Sequence, residues 1–287
     1  MNPTIACVVL TQAKRPDELK RAVESVLGQR GVDVDLIVVG NGARPDNLPD
    51  DVRIKELPEN VGIPAGRNAG IDEVTGELLL FLDDDAYLAD DNFLARAAGL
   101  FAADPNLGVV QPRVLDPEGE RSPRRFVPRL RVGDDRSSSD VVVLWEGTCV
   151  ARRVTLERSG AWPGEFFFMH EGIELAWRVI DAGYTVRYCG ELETYHPAVA
   201  HERHPDVYYQ GARNRVWLAK RNLPAVIAVL YLGNWLILDF ARVRRLAAAK
   251  ELLRGYYDGL RLPGGGRRPI SWRAAWRMTR AGRPPLI

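Results

Sequence analysis

The stretch ELLLFLDDD, residues 77–85, runs five apolar side chains straight into three carboxylates. An apolar run of that length without helical spacing reads as a strand covered on both faces, the kind found inside a mostly parallel sheet. Three adjacent carboxylates repel one another unless something positive sits between them, and a divalent metal held by oxygen ligands is the natural partner. In open α/β sheets ligands bind beyond the carboxyl ends of strands, which is where Asp83, Asp84 and Asp85 stand. A plainer alternative is a solvated loop, or a charge cluster at a helix N-terminus with Asp90 and Asp91.

Upstream, TIACVVLT (4–11) reads as a buried strand. Pro16 then opens a helical pattern in which Leu19, Ala22, Val23, Val26 and Leu27 recur at three and four residues, closing near Gly28. VDLIVV (34–39) is a second strand, ending in the turn Gly40-Asn41-Gly42, and 52–57 alternates like an edge strand. Residues 62–73 predict a short helix. The Gly-rich turn NVGIPAGRNAG (60–70) opens it, where backbone N–H groups and Arg67 can hold a phosphate or merely make a tight connection. Downstream come a helix at 92–103 and a strand at 107–111. A Pro/Arg/Asp/Ser-rich stretch, 112–140, reads as a long loop or mobile flap. A strand at 141–148, a helix at 171–182 and a strand at 184–188 follow. The β-α-β-β-α-β-α-β order predicts an α/β fold with a mostly parallel, Rossmann-like sheet flanked by helices.

Composition narrows the class. The chain has 287 residues, 46% hydrophobic and 27% charged, with a net charge of +1, so disorder is excluded as its main state. Cys7, Cys149 and Cys189 are odd in number and far apart, without a C-x-x-C, so neither a disulfide framework nor a zinc knuckle is supported and a reducing cytosol is expected. The N-terminal MNPTIACVVL lacks a basic n-region and does not read as a signal peptide. Residues 201–287 carry 17 Lys and Arg against 5 Asp and Glu, while residues 1–200 carry 22 against 33. An acidic body thus precedes a basic end, which is either a solvated helical surface or an attractor of phosphates. Residues 223–240 are strongly apolar but interrupted by Pro224, Gly233, Asn234 and Asp239. They suit a membrane-surface or core helix better than a span. Residues 264–287 mix Gly, Pro, Arg and Trp as a loose tail or interfacial anchor.

Together, the strand ending in Thr11, VVGNG, NVGIPAGRNAG, FLDDD and GTCVARR…FFFMHEGIELAWRVIDAGY resemble family 2 glycosyltransferases with the GT-A fold, over residues 4–220. The resemblance implies an inverting transferase that moves a sugar from a nucleotide-diphosphate donor, with Mg²⁺ or Mn²⁺ bound at the D-x-D. Thr11, Arg15, Asn41, Arg67 and Asn68 would line the nucleotide side. Asp83 and Asp84 would face ribose and diphosphate, and Asp85 would ligate the metal. His196 falls where the family often has a late histidine ligand, with His201 and His204 as substitutes. Residues 1–111 would be the nucleotide-sugar half and 112–220 the acceptor half, with Trp145, Gly147, Thr148, Trp177 and Arg178 toward the acceptor. Residues 221–287 would form a basic helical extension.

Two positions depart from the family pattern. Gly40 stands where an Asp usually reads the nucleobase. Glu171-Gly172 stands where the family shows Glu-Asp with the Asp as general base, so Glu171 either takes that role or the chemistry is lost. An inverting displacement needs a carboxylate to take the acceptor's proton. The run Phe166-Phe167-Phe168-Met169 before Glu171 can exclude water and raise its basicity. Its plainer role is a helix N-terminal carboxylate. The acceptor is expected to be a sugar or a lipid-linked, cell-envelope glycan, with the basic end and its tryptophans attaching the chain peripherally to the inner face of the cell membrane. No nucleic-acid motif is present. Aspartyl-nucleophile phosphohydrolases would place Thr or Val where Tyr87 stands, and nucleotidyltransferases would put glycines where LTQAKRPDE has none. The alternative outside enzymes is an inactive GT-A module that binds nucleotide or a partner.

Overall fold

The computed structural model describes residues 2–198 and 206–286, so His201 and His204 lie outside the described residues. The elements follow in the order β1 (Thr4–Thr11), α1 (Pro16–Leu27), β2 (Asp33–Asn41), β3 (Arg53–Leu57), α2 (Ile63–Ile71), β4 (Leu78–Asp83), β5 (Tyr87–Leu88), α3 (Phe93–Ala103) and β6 (Leu107–Leu115). Then come β7 (Ser139–Val141), β8 (Thr148–Arg152), α4 (Arg153–Ser159), α5 (Glu171–Asp181), β9 (Thr185–Tyr195), α6 (Val207–Asn222), α7 (Ala225–Arg242), α8 (Leu246–Arg261) and α9 (Trp272–Arg280).

The strands form one sheet in the order β3-β2-β1-β4-β8-β6-β9-β5, with β7 paired to β9. The first four are mutually parallel, β8 runs against both its neighbours, and β6 and β9 are parallel. Alternation along β1 explains why both faces are dry. Ile5, Cys7 and Val9 pack with α1 and α3 residues on one side, and Ala6, Val8 and Leu10 enter the other core with Phe81 and α5. Register then sets the site. Leu10 pairs with Asp83 and Thr11 with Gly40, so the carboxyl ends of β1, β2 and β4 lie side by side.

Three expectations are corrected. Residues 141–148 are not one strand: the chain leaves the sheet after Val141 and rejoins it at Thr148, and the Trp145 N–H is satisfied instead by Gln111 Oε1 at 2.7 Å. The apolar run reported burial, and burial does not specify a ladder partner. Within residues 112–140 the long loop stands from 116 to 138, but it is pinned to the body and is no free flap. Their first part extends β6, and Arg113 holds Asp135 at 2.9 Å while Gln111 Nε2 donates to the Phe126 carbonyl at 2.7 Å. Residues 264–287 are not a loose tail. Ser271 Oγ caps α9 by accepting from Ala274 N, Ala274, Ala275 and Met278 are buried, and Arg277 donates to the Ile180 and Tyr184 carbonyls at 2.7 Å each.

Helix α7 is inverted for a soluble protein. Only Ile227 and Tyr231 are buried, while Val229 and Ile237 are each 71% exposed. Its one carboxylate, Asp239, turns inward to Arg215 and to the Tyr256 hydroxyl at 2.8 Å. Among the described residues it is the one helix long and apolar enough to cross a membrane.

Candidate active site

The central strand β4 delivers Asp83 to the carboxyl end of the sheet, and the chain turns immediately, with Ala86 N donating to the Asp83 carbonyl at 3.1 Å. The three carboxylates diverge to different partners. Asp83 accepts from Arg67 Nη2 at 2.7 Å. Asp84 accepts from Thr11 Oγ1 at 2.6 Å and pairs with Arg15 Nη2 at 2.9 Å. Asp85 pairs with Arg15 Nη1 and sits 3.1 Å from His196 Nε2. The His196 ring is set for that contact, because its Nδ1 faces the Pro197 carbonyl at 2.8 Å and its flanks meet Trp145 and Phe126. Ligand atoms of Asp83, Asp85 and His196 lie within 4.8 Å of one another. Two carboxylates and an imidazole suit a hard or borderline cation such as Mg²⁺ or Mn²⁺.

Electrostatics follow from burial and these partners. Burial pushes the Asp84 carboxyl up to about 6, against Arg15 and Thr11, which favour the anion. Burial also works against the Asp85 anion, but His196 and Arg15 outweigh it and hold its pKa below the ordinary value. Burial alone would lower the pKa of His196; Asp85 raises it instead.

The remaining expected residues separate into rim and scaffold. Arg15 keeps about half of its side chain exposed over the cluster. Asn41 is spent on the neighbouring loop, donating to Asn60 Oδ1 at 2.9 Å and to the Gly62 carbonyl at 3.1 Å while accepting from Val61 N. Arg67 is 1% exposed and stacks over Trp162 at 4.8 Å, so it supports Asp83 from beneath and does not line an open nucleotide surface. Asn68 faces away, exchanging hydrogen bonds with the backbone of Trp162 at 2.8 and 3.0 Å. Gly147 lies against β4, its carbonyl accepting from Asp83 N at 2.9 Å, and the Trp145 ring folds onto it. Thr148 is fully buried. Trp177 and Arg178 are framework as well. Trp177 packs on Tyr231, and Arg178 pairs with Glu174, a fully buried carboxylate also held by Arg221 and by Asn222 Nδ2 at 2.8 Å.

Glu171 opens α5 in full burial, and neither carboxylate oxygen has a hydrogen-bond partner among the described residues. Burial, with Glu146 beside it, holds its pKa well above the usual carboxylate range. Glu146 was not anticipated from the sequence. Burial pushes it up to about 7 although Arg67 draws it down. The signal that could have found it is Gly172: a Cβ there would lie 2.7 Å from Glu146 Oε2 and 2.6 Å from the Leu144 carbonyl. Gly40 has an equally local reason, since a Cβ there would collide with the Ala43 carbonyl.

This topology, with carboxylates at the joined ends of parallel strands, defines a GT-A glycosyltransferase fold. GalNAc-T7, solved with UDP, GalNAc and Mn²⁺, matches at a TM-score of 0.66 with 13% identity, over 99% of this chain and 55% of that one. The TarS 1–349 fragment from S. aureus, in complex with UDP-GlcNAc, matches at 0.59 with 14% identity, over 96% and 83%. Residues 7–158, more than half of the chain, match the family described as Glycosyl transferase family 2, and the chain belongs to that family. The pre-mycofactocin glycosyltransferase of Mycobacterium tuberculosis is 29% identical over 197 residues, 63% of this chain and 40% of that protein. The chain therefore spans less than half the length of this relative.

Proposed function

We propose that the chain transfers a sugar from a nucleotide-diphosphate donor to a hydroxyl acceptor with inversion, at an anionic membrane surface. The observation that carries this reading is the Asp83–Asp85–His196 cluster at the joined carboxyl ends of β1, β2 and β4. These three residues would hold Mg²⁺ or Mn²⁺, and when bound the cation neutralises charge on the departing diphosphate. Arg15, half-exposed over the same carboxylates, is placed to turn from Asp84 and Asp85 toward a phosphate. Thr11 fixes Asp84, and Arg67 fixes Asp83. Glu146, which feels the charge of Asp83, is the carboxylate placed to serve as the proton acceptor that a single displacement requires. The UDP and UDP-GlcNAc held by the two structural neighbours support the donor class. Gly40 leaves no room for a base-reading side chain, so donor choice here rests on other contacts.

The membrane part rests on α7 and the helices after it. Val226, Val229, Leu230 and Ile237 face outward from α7, and Leu246, Leu253 and Leu260 from α8. Exposed Arg242, Arg244, Arg245, Arg254 and Arg261 border them. Apolar side chains ringed by arginines suit an anionic lipid surface, and a peripheral enzyme there would meet a lipid-linked or cell-envelope acceptor.

The test is donor consumption by the full chain with Mn²⁺, using UDP-glucose, UDP-N-acetylglucosamine and GDP-mannose, followed by NMR of the released sugar. One donor is expected to be consumed with inverted anomeric configuration. Retained configuration, or no consumption of any donor with Mn²⁺ or Mg²⁺, contradicts the reading and favours a nucleotide-binding module without activity.

A further inference from the structure

Five carboxyl groups gather where the parallel strands end: Asp83, Asp84, Asp85, Glu146 and Glu171. Three of them are neutralised in place, Asp83 by Arg67 and Asp84 and Asp85 by Arg15. Glu171 is wholly buried, so no acceptor can touch it. Glu146 is different in both respects. Its residue surface is partly exposed although its carboxyl group is largely desolvated, and among the described residues it enters no ion pair.

Its placement is built. Glu146 sits in the segment between β7 and β8, next to Gly147, whose carbonyl takes the Asp83 N–H, so it borders the metal cluster. The Gly172 backbone at the start of α5 lies against its carboxylate and favours the anion. Any side chain at position 172 would run into Glu146 Oε2 and the Leu144 carbonyl, so Gly172 is what makes room for that carboxylate.

We propose that Glu146 is the general base of the transfer; this rests on the sugar-transfer reading above. The acceptor O–H gives its proton to a Glu146 carboxylate oxygen as the acceptor oxygen bonds to the anomeric carbon. The bond from that carbon to the diphosphate oxygen breaks, and its electron pair leaves with the nucleotide diphosphate. Glu146 ends protonated and later releases the proton to water.

The test compares wild type, Glu146→Gln and Glu146→Asp in donor hydrolysis with Mn²⁺, using whichever of the three donors wild type consumes, with and without sodium azide. Azide attacks without losing a proton, so it bypasses a missing base. Glu146→Gln is expected to slow hydrolysis at least about 100-fold, the usual worth of a positioned base. It should keep nucleotide affinity within about threefold of wild type and regain turnover as glycosyl azide. Glu146→Asp should retain part of the activity without azide. Hydrolysis unchanged in Glu146→Gln overturns the proposal. A loss of both nucleotide binding and azide turnover also overturns it, by making Glu146 structural. If wild type consumes no donor, the transfer reading itself falls and this proposal falls with it.

Discussion

Replacing Glu171 by Gln separates a buried acid from a solvated one. Glu171 has no exposed surface and no hydrogen-bond partner for its oxygens among the described residues, and its pKa lies well above 4.5 in the folded chain. Near and above pH 4.5 the unfolded chain gives up this proton while the folded chain keeps it. Stability from this group is therefore complete below about pH 4.5 and falls as pH rises toward the folded pKa. The slope is at most about 1.4 kcal/mol per pH unit, so the loss between pH 5 and pH 7 is bounded at about 2.7 kcal/mol. Gln does not titrate. Its buried amide carries a desolvation cost that is the same at every pH, which shifts the whole curve without tilting it. In a chain of this size about 1 kcal/mol moves Tm by about 2–4 °C. The Tm of Glu171→Gln minus that of wild type should therefore rise from pH 5 to pH 7, by at most about 11 °C. Thermal melts followed by circular dichroism without added metal measure it. Parallel Tm curves for the two proteins would refute the reasoning, because they would mean that Glu171 ionises in the folded state as it does in water.

Glu174→Gln removes the one anion that Arg178 and Arg221 share inside the protein, and should cost about 3–5 kcal/mol, read as a lower Tm at pH 7. Gly40→Asp places a Cβ against the Ala43 carbonyl and should lower the urea midpoint by the equivalent of about 1–3 kcal/mol with an unchanged m-value. Val229→Glu with Ile237→Glu charges the exposed face of α7, and should abolish flotation with phosphatidylserine vesicles while leaving Tm within a degree or two. Flotation equal to wild type would remove α7 from the membrane contact.

Much of the architecture was legible because strands buried on both faces announce themselves by apolar runs alone. Residues 4–11, 34–39 and 77–82 all lie in or beside the parallel core for that reason. The acidic triplet was legible because three adjacent anions after such a run demand a counter-charge. What the sequence hid is which neighbour supplies it. Arg67 and Asn68 look alike in the Gly-rich turn, yet one supports Asp83 and the other clasps Trp162, a division set by helical phase and by a contact 94 residues away. Trp177 and Arg178 looked like an acceptor wall and proved to be framework, because α5 turns that face onto α6 and α7. Glu146 was invisible for the converse reason. Its partner Gly172 is 26 residues away, so the one signal, a glycine where the family has a carboxylate, says that space is needed but not which side chain fills it.

Sugar transfer at this site requires Asp83, Asp85 and His196 to grip one divalent cation together with a diphosphate. Electron paramagnetic resonance of Mn²⁺ titrated into the full chain, with and without UDP or GDP, tests it directly. Wild type should remove one Mn²⁺ per chain from solution, more tightly with the nucleotide present, and Asp85→Asn should lose that binding at least tenfold. Equal Mn²⁺ binding by wild type and Asp85→Asn, or nucleotide binding indifferent to the ion, would contradict it.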